Sequence, residues 1–247
     1  MTSVLLNSII GVVLLMALAT GVLWVYGAPK HWAPALAVLR GIVQLAILSV
    51  ILTGVITNGY WVALALLVMF TVASVTAIRR IHWTRDHALM IFTAMGAGIV
   101  VTLTIVFVTG TIDFSPRYVL AIGGIVIGNS MTIATLAGRR FTELVRDRWD
   151  QVEAWMSLGA TPRQSTRDLA RDAVYAALIP STDQTKTTGL VTLPGAFVGA
   201  IFGGVSPLEA GRFQIVVLAA IMAAGAVTAV IIATWMAPVR VKPKALV

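Results

Sequence analysis

Residues 139–172 read RRFTELVRDRWDQVEAWMSLGATPRQSTRDLARD. Seven arginines, six acids and two tryptophans fall in this stretch, and apolar runs flank it on both sides. The island stands out because the rest of the chain is too apolar for a water-soluble domain. The 247 residues are 58% hydrophobic and 11% charged, with mean hydropathy +0.92. A soluble domain carries roughly a quarter charged residues. The chain is therefore read as an all-α polytopic membrane protein, one transmembrane domain over 1–247 with a cytosolic segment at about 139–172.

A spanning helix needs about 20 apolar residues. Seven stretches qualify as expected spans: Leu5–Tyr26, Trp32–Ile56, Tyr60–Ile78, Ala88–Thr109, Tyr118–Ala137, Ala173–Val205 and Gln214–Met236. The loops Thr57–Gly59, Gly110–Pro116 and Ser206–Gly211 are expected at the opposite face from the island. Ala17-Leu18-Ala19 resembles a signal cleavage site, but no Lys or Arg precedes the first apolar run, so that run is expected to be retained.

The basic residues orient the spans. With the N-terminus outside, 14 of the 18 Lys and Arg fall inside: Lys30, Arg79, Arg80, Arg85, the seven in the island, Arg240, Lys242 and Lys244. Only Arg117 and Arg212 fall outside, while Arg40 and Lys186 lie within apolar segments. The positive-inside rule predicts an N-out, C-in protein of a cell membrane. The formal charge of +8 is thereby explained without nucleic acid. Cysteine is absent, which excludes disulfides and thiolate chemistry.

Within the island, Phe141, Leu144, Val145, Trp149, Val152, Trp155 and Met156 recur at helical spacing, opposite Arg146, Asp147, Asp150 and Glu153. That pattern predicts an amphipathic helix, which by itself fits either an interfacial anchor or a docking element. Gly159 can end it, and Thr161-Pro162 can start a second helix.

Glu153-Ala154, four residues, Gly159-Ala160, then Thr161-Pro162 resembles the EAA loop of bacterial ABC permeases. The usual continuation is altered: Leu169 holds the Ile position, Arg171 the Leu position, and Ile179-Pro180 comes later. The resemblance implies a coupling helix that docks on an ATPase, carried by Glu153, Ala154, Leu158, Gly159, Ala160 and Pro162.

Over its whole length the chain resembles the FetB/YbbM-like permease family. The matching residues are Arg40, Gln44-Leu45, Gly128–Met131, Leu158–Ala160, Pro162–Gln164, Ala177–Pro180, Asp183, Lys186-Thr187, Gly189–Val191, Leu193–Gly195 and Pro207–Ala210. The resemblance implies the permease subunit of an ABC exporter with a separate cytosolic ATPase, which would bind ATP and Mg. Bacterial members are linked to iron export. Plant relatives are linked to aluminium tolerance and to a nucleotide sugar. The chain has no Gly-x-x-x-x-Gly-Lys-[Ser/Thr], so it is expected to have no ATP site and no cofactor of its own, and to be no enzyme. Two membrane halves are needed, which implies a homodimer. The alternatives are an ion-coupled secondary transporter and an ABC permease for a nucleotide sugar or lipid-like substrate.

Several polar residues sit inside expected spans. Arg40 and Gln44 lie one turn apart in the second, and Asn129 lies in the fifth. Residues 181–188 read STDQTKTT, which no lipid-facing helix tolerates. The row lines a wet cavity in a broken helix, or it is cytosolic. Arg40, Gln44, Asn129, Asp183 and Lys186 are the expected path residues, with Arg40 pairing Asp183 or binding an anion. Gly195, Gly199 and Gly203 form overlapping GxxxG motifs, for a dimer seam or for packing within the subunit. His31, His82 and His87 lack zinc-pair spacing, so hard oxygen ligands such as Asp183 and Glu209 are the metal candidates.

Overall fold

The computed structural model describes residues 2–55 and 58–244, with side chains over 6–49 and 58–244. It is all-helical apart from one isolated bridge, Thr188 to Thr192, among the described residues. The chain divides into two compact units, Met1–Thr57 and Asn58–Val247.

The first unit holds α1, Thr2–Val25, and α2, Ala33–Val55. The turn between them is set by Gly27 (φ 76°) and Lys30 (φ 59°). The Gly27 and Ala28 amides donate to the Trp24 and Leu23 carbonyls, closing α1 as a Schellman motif. The expected second span runs on to Ile56, and that residue and loop residue Thr57 lie outside the described residues.

The second unit is a bundle. Its members are α3, Gly59–Ile81; α4, Arg85–Val108; α5, Pro116–Asp147; α6, Trp149–Ser157; α7, Pro162–Ser165; α8, Arg167–Thr187; α9, Gly195–Phe202; and α10, Pro207–Met236. Four starts are capped by short polar side chains. Asn58, Thr84, Ser115 and Ser206 accept from the amides of Tyr60, His87, Tyr118 and Glu209, and Pro116 and Pro207 occupy first-turn positions.

The interior is sealed by Ile78, Met90, Ile91, Met95, Ile122, Val126, Ile133, Val217 and Ile232, drawn from α3, α4, α5 and α10. Small residues let these helices approach, as expected where lipid supplies no hydrophobic drive. A Cβ at Gly98 would stand 2.6 Å from the Ala224 carbonyl oxygen. One at Gly138 would stand 2.5 Å from Ile81 Cδ1. Phe70 and Phe92 meet edge-on at 5.6 Å.

Among the described residues, five helices are long and apolar enough to cross a membrane: α1, α3, α4, α5 and α10. The apolar part of α2 is described over Ala33–Ser49. Three expected boundaries move. The fifth helix runs ten residues past Ala137 to Asp147, because the sequence there changes polarity without a helix breaker. The expected amphipathic helix is therefore two pieces, the end of α5 and the separate α6. The loop expected over Ser206–Gly211 is mostly the first turn of α10, since Ser206-Pro207 is a helix start. The expected sixth span is α8 and α9 separated by residues 188–194, and α8 continues straight through Pro180 to Thr187.

One end of the bundle is basic. The end of α3 meets α5 there through Ile81 and Gly138, bringing together Arg79, Arg80, Arg139 and Arg140.

Candidate coupling segment and polar helix face

At about 1.5 Å per residue, the 32 residues of α5 measure about 48 Å, against about 30 Å of hydrocarbon. The surplus extends beyond the basic end and carries a second small core. Phe141, Leu144 and Val145 of α5 pack there with Val152 of α6 and with Leu169 and Ala173 of α8. Thr166 donates to the Ala237 carbonyl, tying the start of α8 to the end of α10. Arg148 and Asp172 pair at 3.7 Å, both half exposed, so the packing holds this segment more than the ion pair does.

The α6–α7 elbow is built from two caps. Gly159 adopts φ 93°, its amide donates to the Met156 carbonyl, and the Ala160 amide donates to the Trp155 carbonyl. That is a Schellman stop, and glycine takes the left-handed position without strain. Two residues later Thr161 and Gln164 form a capping box, with Pro162 in the first turn. The Gly-Ala-Thr-Pro run thus makes a rigid elbow from local stereochemistry alone. Thr161→Ala removes the cap and is expected to cost about 1 kcal/mol, read as a lower thermal midpoint of the purified protein.

The elbow pushes apolar side chains into the open. Leu158 is 81% exposed and Trp155 60% exposed, with Glu153 and Ala154 also on the surface. Beside them is a cavity of about 640 Å³, lined by Arg148, Gln151, Trp155, Leu158, Gln164 and Arg167 among others. Sequence reasoning gave no docking role to Arg148, Gln151 or Arg167; their signal was only that they flank the motif. Leu169, aligned with a motif position, is 6% exposed and serves the second core.

The other expected residues fall in separate places. On α8, the polar row is placed by its neighbours. Arg163 donates to the Thr234 carbonyl at 3.3 Å, and Leu178 lies 3.4 Å from the Cβ position of Gly225, so the chain leading through α8 runs antiparallel to α10. Residues 181–187 continue about 5–14 Å beyond Leu178, alongside the middle of α10 and away from the basic end.

Within the row the threonines satisfy themselves. Thr185, Thr187 and Thr188 donate to the carbonyls of Ser181, Asp183 and Gln184 at 2.7–2.9 Å. Asp183 and Lys186 pair at 3.6 Å with side chains 62% and 70% exposed.

Arg40 and Gln44 lie on the exposed side of α2, in the first unit. Asn129 is half-buried on α5 and donates to its own helix at Ile125, 2.9 Å. Glu209 sits in the first turn of α10, where the helix dipole favours an acid. Among the described residues no three His, Cys, Asp or Glu side chains converge as a metal site. A Cβ at Gly195 or Gly199 would meet nothing within 4 Å, so these glycines mediate no close approach within the bundle.

The model of one family, described as an uncharacterised protein family (UPF0014), matches residues 6–239. The chain belongs to the UPF0014 family. A member from Oryza sativa subsp. japonica, the UPF0014 membrane protein STAR2, is 36% identical over 79% of this chain and 69% of its own length. The protein ALUMINUM SENSITIVE 3 of Arabidopsis thaliana is 34% identical over 78% of this chain and 72% of its own. The probable iron export permease protein FetB of Escherichia coli (strain K12) is 32% identical over 87% and 80%. No solved structure matches. The UPF0014 chain described here is thus a multi-pass membrane protein whose relatives include a named permease.

Proposed function

We propose that the chain is the membrane subunit of an ATP-driven exporter, works as a homodimer, and is powered by a separate cytosolic ATPase that holds ATP and Mg. The observation that carries this reading is the rigid α6–α7 elbow, which presents Leu158 and Trp155 beyond the membrane bundle. An elbow held by two caps transmits a push; a loose loop absorbs it. The orientation is N-out and C-in, with the basic end of the second unit in the cytosol. Iron or another metal species is the proposed cargo, following the printed name of the Escherichia coli relative.

The path is proposed to run along the polar face of α8, with Asp183 and Lys186 facing the matching face of the second protomer across water. Closure of the ATPase dimer moves the segment from about 142 to 164, and α5 and α8 carry that motion to the polar face.

Co-expression with the cytosolic ATPases of the same genome tests the proposal. A co-purifying ATPase whose hydrolysis is stimulated by this chain supports it. A chain that purifies alone and stimulates none of them overturns it.

A second reading, an ion-coupled transporter, is favoured by the Asp183–Lys186 pair alone. Asp183→Asn removes the partner of Lys186 and leaves an uncompensated cation on the proposed path. Transport per mole of protein in proteoliposomes is expected to fall at least ~10-fold. ATP dependence with indifference to a protonophore distinguishes the first reading; collapse under the protonophore without ATP supports the second.

A further inference from the structure

A groove opens between the start of α8 and the end of α10, adjoining the elbow cavity through Arg167. Two adjoining cavities of about 440 Å³ each make it up. Its mouth carries Arg163, Arg167 and Arg171, and no acidic residue lines it. Arg163 is anchored by its donation to the Thr234 carbonyl at 3.3 Å. Arg171 is partly offset by Asp168 at 3.2 Å, which lies outside the lining and is itself highly exposed. Below the arginines the walls turn apolar, with exposed Tyr175 on α8 and Val230 on α10. Trp235 borders the mouth on the α10 side.

We propose that this groove is a binding site for one anionic phospholipid of the leaflet at the basic end. Charge complementarity supplies the argument. Three guanidinium groups over an apolar trough match a phosphate headgroup joined to an acyl chain, whereas a soluble anion leaves the trough empty and a neutral lipid leaves the arginines unpaired. Tryptophan at the mouth suits the headgroup level. The occupant would bridge α8, which carries the polar row, to α10, which anchors the bundle. Lipid charge in that leaflet would then set how freely α8 moves.

The test is native mass spectrometry of the full-length detergent-purified protein. It is titrated with phosphatidylglycerol and with phosphatidylcholine of the same acyl chains. Tighter binding of phosphatidylglycerol is expected. The Arg163→Gln, Arg171→Gln pair should weaken it by roughly 30-fold, about fivefold per arginine. Val230→Trp fills the trough without changing charge and should weaken it as well, with phosphatidylcholine adducts low throughout. Equal binding of the two lipids overturns the proposal. So does loss with the arginine pair but not with Val230→Trp, which signifies diffuse surface charge. Displacement of the lipid by millimolar inorganic phosphate overturns it too, as an anion site without an acyl chain. A shift in the monomer–dimer balance with unchanged lipid binding assigns the face to a second copy. Both arginines are exposed, and the pair gives up the Arg163–Thr234 bond, so the thermal midpoint is measured beside the binding.

Discussion

Leu158→Asp is expected to uncouple the proposed ATPase while leaving the membrane bundle folded. Leu158 is 81% exposed, so a charge there removes no core contact. It ends α6 as the C-cap, one residue before the Gly159 turn, and its backbone pattern does not depend on the side chain. At a docking surface the same change buries an aspartate against the partner. Central apolar anchors at interfaces contribute about 2–4 kcal/mol, a loss of roughly 30- to 1000-fold in affinity. The measurement pairs stimulated ATP hydrolysis with thermal unfolding of the purified chain. Hydrolysis should fall to the level of the ATPase alone, with an unchanged midpoint. Full stimulation by the variant would remove α6 from the docking surface and return it to the role of an interfacial anchor.

Gly98→Ala is expected to destabilise the bundle by about 1–3 kcal/mol, and Gly98→Val to prevent stable accumulation. The added Cβ would stand 2.6 Å from the Ala224 carbonyl oxygen and 2.7 Å from the Thr228 hydroxyl. The first of these is backbone and cannot rotate away, so α4 and α10 must separate. Gly128→Ala on α5 is the control, because nothing lies within 4 Å of that position. It should be neutral within about 0.5 kcal/mol. Thermal midpoints in one detergent decide the matter; equal effects at both glycines would refute the α4–α10 approach.

The two glycines also show what a sequence conceals. Both sit in apolar helices of similar composition, and no local pattern separates them. Only the register of α4 against α10 does. The same holds for Gly195 and Gly199, whose spacing announces a packing motif although the bundle leaves that face open. At the elbow the reverse is true. Gly159, Thr161 and Pro162 are interpretable from the chain alone, because capping is decided by neighbours within four residues. Arg167 and Gln151 line the same cavity as Leu158 through contacts between elements, and their importance was invisible in the chain.

The polar row at 181–188 lies between these cases. Its composition excluded contact with lipid, but could not choose between membrane and cytosol. The antiparallel run of α8 along α10 carries the row away from the basic end. The end of the fifth helix was misjudged for a related reason. Hydropathy marks where apolar surface stops, and α5 continues because its charged extension still finds an apolar partner in α6 and α8.

By itself, then, the sequence determined the membrane class, the basic asymmetry and the elbow. These follow from composition and from interactions a few residues long. The tertiary structure alone decided the length of α5, the separation of α8 from α9, and which glycines bear close contacts. Each of those depends on what a distant segment places opposite, which no local pattern encodes.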